Sequence, residues 1–391
     1  MAAMERLLRL RDSVIAAVGP VGVERMPLAA AGGRWLGAKA LAACASPRHT
    51  CAAMDGYAVR AAEISGVVRV AVRSAVYAGD APPPAPGPGE AVRIFTGAPL
   101  PPGADTVVRQ EAAREAQGWV SLSGPVRPGE NVRRAGEDVP EGGLALPEGV
   151  RLGPRQLALL AAVGTLEVVV RRRPRVAVLT TGDEITSGRT PDSNGVAVAA
   201  LCRALGAEVV QGTVEDRMDR VQAALDQARA ASDAIVTIGG VSVGERDLVP
   251  GALEALGAEL RLHGAPMKPG KPFLFALLQG KPVLGLPGSP SACLAAFEVF
   301  ARPALLALSG ARAFTRPELR VRLSEGLEGR PGRARLVWAA LRPGGWAQPV
   351  GRDAAQVRGP ALADALLLVP PDAGALDAGE VVTAWLLDGD A

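Results

Sequence analysis

The chain has 391 residues, 48% of them hydrophobic, and 43 basic against 40 acidic side chains leave a formal net charge of +3; that is material for two to four domains, with no long basic run for nucleic acid. Aromatic residues make up only 3%, scarce for stacking successive bases, and two histidines, His49 and His263, exclude a three-histidine zinc site. The four cysteines, Cys44, Cys51, Cys202 and Cys293, form no Cys-x-x-Cys pair and read as the reduced thiols of a cytosolic protein, so chemistry falls to Asp, Glu, Thr, Ser, Lys, backbone amides and a hard metal ion.

Residues 1–19 set Glu5, Arg6, Arg9, Arg11 and Asp12 among leucines, which predicts an amphipathic helix and not a signal peptide. Up to residue 173 the chain is then irregular and strand-rich. Turn signals crowd at 79–89, 99–103 and 125–129, and the alternating runs 67–72 and 104–108 predict half-buried strands of an all-β module. A helix at 154–163 stops at Gly164. After Pro174 the texture changes. Strands at 175–179, 207–211, 234–238 and 282–285 alternate with helices at 194–205, 220–231, 248–256 and 291–308, the pattern of βαβ units in a doubly wound, mostly parallel sheet. The longest uncharged runs, such as 282–297, are broken by Pro and Gly, which predicts no membrane span. Residues 316–391 return to strand-like alternation and predict a small β-barrel or sandwich.

In such a sheet ligands bind beyond the carboxyl ends of the strands. Three predicted strands end there in glycine loops: Thr181-Gly182-Asp183-Glu184, Gly239-Gly240-Val241-Ser242-Val243-Gly244 and Leu286-Pro287-Gly288-Ser289-Pro290. Glycine lets backbone amides approach a phosphate, and the following helix dipole favours the anion. Lysine adds a second signal. Only four occur, and Lys268, Lys271 and Lys281 fall within fourteen residues, the first two in the stiff segment Met267-Lys268-Pro269-Gly270-Lys271-Pro272. A lysine is a compact point charge suited to a tetrahedral oxyanion, so this loop reads as an anion site. Carboxylates gather nearby: Asp183 and Glu184 at the first loop, Asp233 before a strand, and Glu245 and Asp247 after the second loop. Glu184 stands at a strand tip where it could hold Mg²⁺ or manage protons, whereas Asp247 reads as a helix N-cap.

Two motifs of the front half, Ala-Met-Asp-Gly-Tyr-Ala (53–58) and Thr-Gly-Ala-Pro (96–99), join Gly-Glu-Asp (136–138), Thr-Gly-Asp-Glu (181–184), Asp-Ser-Asn (192–194), the 239–244 loop, Met-Lys-Pro-Gly-Lys-Pro (267–272) and Leu-Pro-Gly (286–288). Together, in this order, they resemble the molybdopterin molybdenumtransferase family, which includes the E domain of gephyrin-like proteins. The resemblance implies an elongated, multi-domain chain of α/β plus all-β modules. Its parts would be a discontinuous N-terminal domain (1–46 and 132–173), a β-rich domain (47–131), an α/β molybdopterin-binding domain (174–311) and a small C-terminal β-barrel (312–391). It implies conversion of adenylylated molybdopterin and molybdate to molybdenum cofactor and AMP, with Mg²⁺, in a cytoplasmic homodimer. One subunit's front module would complete its partner's α/β site. Other cofactor-biosynthesis proteins are implied as further partners, and no nucleic acid or membrane.

By the same resemblance Lys268 and Lys271 would hold the molybdate dianion. Asp55, Thr96, Asp138, Glu184 and Asp233 would line the catalytic cleft, with Glu184 and Asp55 toward the metal. The pterin nucleotide would meet Gly182, Asp183, Ser193 and Asn194, then Gly239, Gly240, Val241, Ser242 and Gly244, then Pro269, Gly270, Pro287, Gly288 and Ser289. The chain also departs from the family pattern. Thr50-Cys51-Ala52 replaces an Asp-Asn-Ser, and Pro287-Gly288-Ser289-Pro290-Ser291-Ala292 replaces a Pro-Gly-Asn-Pro-Val-Ser. Asp353-Ala354-Ala355-Gln356 lacks a serine of the C-terminal loop, leaving Arg333, Arg335 or Arg352 as substitutes. An adenylyltransferase-like enzyme and a catalytically weakened dimeric scaffold are the alternative readings.

Overall fold

The β-branched runs of the middle third become four parallel strands. Arg175–Thr181 lies between Glu208–Val214 and Ala234–Ile238, and Lys281–Leu286 is next to Ala234–Ile238 on its far side. Leu274–Leu278 and Glu259–His263 extend the sheet antiparallel. The sheet is therefore mixed but mostly parallel. The computed structural model describes residues 2–242, 244, 247–328, 332–351 and 354–387. Val243, Glu245, Arg352 and Asp353 lie outside the described residues.

Side chains alternate across each strand, so one run feeds two cores. Val176, Val178, Val236 and Leu284 point to one face, where Val198 and Cys202 of the helix Ser193–Ala204 and Phe297 and Phe300 of the segment Pro290–Leu308 cover them. Ala177, Ile235 and Val283 point to the other, under Leu225 of Met218–Ala231 and Leu253 of Leu248–Ala255. This is the doubly wound arrangement. Phe273 stacks on Phe300 with ring centroids 4.1 Å apart. The Pro290–Leu308 segment, with a π-helical turn at Phe297–Ala301, is long and apolar enough to cross a membrane by composition. It is instead the core helix of the fold, almost wholly buried within the protein.

The first helix, Ala2–Ala16, has Leu7 and Val14 seven residues apart, hence on one face. Both are buried in the same core as Phe297 and Leu305, so this helix packs on the α/β unit. The chain then enters a separate small unit, in which Val23–Pro27 pairs antiparallel with Glu167–Arg171 and Ala40–Leu41 with Leu144–Leu146. The front module is a six-stranded sheet in which Glu90–Ile94 lies between Gly56–Val59 and Val67–Val76.

The C-terminal strands close on themselves. Ala334–Arg342, Trp346–Pro349, Glu318–Leu323, Val381–Leu386 and Ala365–Val369 pair in that order, and the last returns to the first. The barrel recruits a sixth strand from the α/β unit: Met267–Lys268 runs parallel to Ala334 and Arg335. Two further contacts bind barrel to helix. Trp338 Nε1 donates to Ser291 Oγ at 2.8 Å, and the Ser291 amide donates to the Ala354 carbonyl at 2.9 Å. Deeper in, Glu298 takes Arg316 bidentately at 3.0 and 3.1 Å, with side-chain exposures of only 5% and 9%.

Removing one partner of such a pair leaves an uncompensated buried charge, which costs about 3–5 kcal/mol. Glu298→Ala is predicted to lower the thermal midpoint of the protein sharply, and replacing both residues by apolar ones to cost much less. Equal midpoints for the wild type and Glu298→Ala in calorimetry would show that the pair contributes nothing.

Candidate functional site

All four parallel strands deliver residues to one cavity of about 570 Å³ at their carboxyl ends. Thr180, Thr181, Gly182 and Glu184 come from the first strand and its loop, and Ile238, Gly239, Gly240, Val241 and Ser242 from the next. Pro287, Gly288, Ser289 and Pro290 come after Lys281–Leu286, and Asp216 after Glu208–Val214. Asp192, Ser193 and Asn194 enter from the start of the helix Ser193–Ala204.

Positive φ and close side-chain neighbours favour glycine at two of these positions. Gly240 has φ +62°, and a Cβ there would stand 2.8 Å from Thr181 Oγ1. Gly182 has φ +148°, and its Cβ would stand 2.8 Å from Glu184 Oε1. Hydrogen bonds then lock the loops to one another. Asn194 Nδ2 donates to the Gly288 carbonyl at 2.6 Å, tying the first helix start to the third loop. Asp192 accepts from the Gly195 amide at 2.8 Å and from Thr180 Oγ1 at 3.1 Å, so it caps its helix and is not free for a ligand. Asp183 faces away from the cavity lining: its Oδ1 accepts from the Asp216 amide at 3.0 Å, and its own amide donates to Asp216 Oδ2 at 3.4 Å. Asp247 occupies the N-cap position, but its carboxylate accepts from the Gly244 amide at 2.9 Å and not from the helix. The Glu184 carboxylate makes no such bond among the described residues and lines the cavity.

The electrostatics of this lining are one-sided. Glu184, Asp192, Asp216 and Asp247 face it, and no lysine or arginine does among the described residues. The donors there are neutral: backbone amides, hydroxyls and the Asn194 side chain.

The lysine loop opens on a second cavity. Lys268 and Pro269 share about 310 Å³ with Ser291, Glu325, Glu328, Arg335, Trp338 and Ala354. The two cavities meet at the start of the core helix, where Pro290 lines the first and Ser291 the second. Ala354, from the stretch where the family serine is lacking, and Arg335, one of its candidate substitutes, thus share this cavity with Lys268; Arg333 lines neither cavity. Lys271 is exposed and lines neither, while its carbonyl accepts from the Ala265 and Phe273 amides and shapes the loop. Gly270, at φ +104°, is buried against Met267. Lys281 is a structural lysine: its Nζ donates to the Arg229 and Ser232 carbonyls at 2.6 and 2.8 Å, at the end of the Met218–Ala231 helix.

Three sequence candidates lie on other units, and one at the wrong edge. On the front module Asp55 Oδ1 accepts from the Thr96 amide at 2.8 Å and from Thr96 Oγ1 at 2.7 Å. The Thr96 bonds hold the Asp55 carboxyl below the usual aspartate range. Asp138 is exposed, with its amide donating to the Ser46 carbonyl. Neither these nor Thr96 line either cavity within one chain. Asp233 precedes Ala234–Ile238 and therefore sits at the amino end of the sheet, about 16 Å of strand from the cleft. There Arg172 grips it at 2.7 and 2.6 Å and the Arg175 amide at 2.7 Å. Burial pushes its carboxyl up, but Arg172 and the amide outweigh this and leave it below the ordinary value. That is a structural ion pair, not part of the cleft.

Sequence reasoning does not single out Thr180 or Asp216. Asp216 has a signal, since an acid follows a parallel strand, but the pattern ends that strand at residue 211 whereas it runs to Val214.

Three family models match successive parts of the chain. A family model described as MoeA N-terminal region (domain I and II) matches residues 3–164, one described as probable molybdopterin binding domain matches 177–307, and one described as MoeA C-terminal region (domain IV) matches 320–387. The chain is 36% identical over 335 residues to a molybdopterin molybdenumtransferase of Nostoc, covering 81% of this chain and 77% of the relative. It is 34% identical to molybdopterin molybdenumtransferase 2 of Mycobacterium tuberculosis, covering 98% and 99%. Among solved structures, a molybdopterin biosynthesis MoeA protein of Pyrococcus horikoshii aligns with a TM-score of 0.78 and 32% identity over 99% of both chains.

The Gly240 contact and the Asp233 ion pair can each be tested. An alanine forced into the left-handed region costs about 1–2 kcal/mol. Gly240→Ala is therefore predicted to destabilise by at least that, with part recovered in the double variant that also carries Thr181→Ala; a double-mutant cycle in urea with zero coupling would contradict the contact. For Asp233, a lowered folded pKa means stability that is present above the unfolded value and lost as pH falls through the folded one. The destabilisation of Asp233→Asn is thus predicted to be constant from pH 7 down to about 4 and to shrink below it, toward the protonated range of the wild type. Thermal midpoints of both proteins across that range test this, and a gap that widens on acidification would refute it.

Proposed function

This chain belongs to the molybdopterin molybdenumtransferase family, and from that premise we propose that it inserts molybdate into adenylylated molybdopterin and releases AMP. The observation that carries this reading is the adjacency of two chemically different cavities across the start of one helix. The first offers glycine-loop amides and free carboxylate to a large ligand, and the second offers Lys268 to a small anion.

In this reading the pterin nucleotide lies in the first cavity, its phosphates against the Gly239–Gly240 and Gly288 backbone. Four carboxylates, with no lysine or arginine beside them among the described residues, repel a phosphoanhydride, and a divalent cation between them would relieve that repulsion. The residues fit such a cation. No group of three or more His, Cys, Asp or Glu side chains could hold a metal by itself among the described residues. Magnesium, however, takes one or two carboxylates and completes its shell with phosphate oxygens and water. Glu184, whose carboxylate accepts no hydrogen bond among the described residues, would supply the protein ligand. The bound cation would neutralise charge on the departing AMP phosphate. Lys268, with Lys271 at the mouth of the loop, would hold molybdate beside the pterin. Asp55, held ionised by Thr96 on the front module, and Asp138 from the N-terminal domain would reach the cleft from a second copy in a homodimer.

A hydrogen bond from a charged donor contributes about 1.5–3 kcal/mol, on the order of ten- to a hundredfold in affinity. Lys268→Ala is accordingly predicted to raise the molybdate concentration for half-maximal AMP release by that factor. At saturating molybdate the rate should recover. The assay supplies purified protein with adenylylated molybdopterin, Mg²⁺ and a molybdate titration. Nucleotide binding without AMP release at any molybdate level would overturn the reading, and ATP consumption would turn it toward an adenylyltransferase.

A further inference from the structure

The chain carries only two tyrosines, and both stand in one stack on the front module. At its inner end Tyr57 is buried and donates its hydroxyl to Glu115 at 2.5 Å. The Arg93 guanidinium lies over the Tyr57 ring at 4.8 Å and over the Phe95 ring at 5.1 Å, and it donates to Gln110 at 2.5 Å. Phe95 in turn stacks on Tyr77, with centroids 4.5 Å apart and planes within 9°. Tyr77 ends the stack in solvent, 55% exposed, and its hydroxyl has no hydrogen-bond partner among the described residues.

The backbone holds this outer ring in place. The Tyr77 amide donates to Asp80 Oδ2 at 2.9 Å, the Asp80 amide donates to the Tyr77 carbonyl, and the Phe95 amide donates to the Val76 carbonyl. Thr96, the next residue after Phe95, makes both bonds to Asp55. A fixed, half-exposed aromatic ring therefore stands on the residue adjoining the partner of the acid that the front module offers to the site.

In a chain with 3% aromatic residues, an ordered aromatic face left in water is costly unless something covers it. Tyrosine presents a large flat area with few rotatable bonds, so a planar ligand that stacks on it loses little to ordering of the protein. Arg93, over the Phe95 ring on which Tyr77 stacks, gives the stack a positive charge that suits a heterocycle attached to phosphate. We propose that Tyr77, backed by Phe95 and Arg93, is a stacking platform for a planar heterocycle of the substrate. The platform rests on the transferase reading above, in which the front module of a second copy reaches the cleft and the substrate carries two such rings, an adenine and a pterin.

The test is steady-state AMP release by the full-length protein at saturating molybdate and Mg²⁺, with Tyr77→Ala and Tyr77→Phe compared to wild type. Stacking of one ring is worth on the order of tenfold in affinity. Tyr77→Ala is expected to raise KM for adenylylated molybdopterin about tenfold, with a far smaller change in kcat and an unchanged thermal midpoint. Tyr77→Phe, which keeps the ring, should bring KM back to within about threefold of wild type. AMP used as an inhibitor identifies the ring. Its inhibition constant rises in parallel with KM if adenine stacks, and stays put if the pterin does. A wild-type KM in Tyr77→Ala, or a loss that tracks the thermal midpoint and is not relieved by phenylalanine, would overturn the platform while leaving the transferase reading intact. A wild-type protein that releases no AMP would overturn both.

Discussion

A cleft of glycine loops lined by four carboxylates, with no lysine or arginine on it among the described residues, is the constraint on which this structure turns. The four parallel strands converge on glycine loops whose amides can face phosphate, yet the side chains beside them are Glu184, Asp192, Asp216 and Asp247. At an effective dielectric near 20, two like charges 4 Å apart repel by about 4 kcal/mol. Backbone amides alone do not offset several such terms. On the proposed reading positive charge comes from elsewhere: from a metal ion, from the lysine loop, or from a second chain. Each neighbouring unit of the fold can be understood as a way of bringing it.

The barrel is the clearest case. Lys268 is not simply a loop residue, because Met267–Lys268 pairs with Ala334 and Arg335 as a sixth strand of the barrel. The lysine is thereby fixed by two units at once. The same junction is pinned by Trp338 on Ser291 and by Ser291 on Ala354, at the first turn of the helix whose Pro290 also lines the first cavity. The buried Glu298–Arg316 pair secures that helix to the segment leading into the barrel. A shift of the barrel would therefore move Lys268 and the helix start together. Where the family pattern has a serine at residue 292, this chain has alanine, and its Ser291 hydroxyl is spent on that junction.

Much of this is legible in the sequence, for reasons that can be named. The doubly wound sheet shows because strands buried on both faces must read as β-branched runs, as Arg175–Thr181 and Ala234–Ile238 do. The glycine loops show because positive φ and close approach leave few alternatives. The amphipathic first helix shows too, but periodicity reveals a face and not its partner, so its docking on the core helix is hidden. Asp233 misleads because a carboxylate next to a strand carries no sign of which end of the sheet it occupies; only the direction of Ala234–Ile238 decides that. Asp216 escapes notice because Gly212 reads as the end of a strand that in fact continues through it, one residue in a run that is otherwise β-branched. Asp183 looks like a site acid in the sequence, but its carboxylate accepts from the Asp216 amide, and Asp247, which reads as a helix N-cap, accepts from the Gly244 amide instead.

The most direct test of the central constraint is calorimetric titration of adenylylated molybdopterin into the protein, with Mg²⁺ and then with EDTA. A cleft lined by carboxylates, with no lysine or arginine among the described residues, should bind at least about tenfold more tightly with the metal, a difference of roughly 1.4 kcal/mol. Glu184→Gln should remove most of that difference and leave the metal-free affinity equal or better, since one repulsive charge has gone. Affinity that is the same in Mg²⁺ and EDTA would contradict the account, and would mean that the cleft neutralises its ligand without a bound cation.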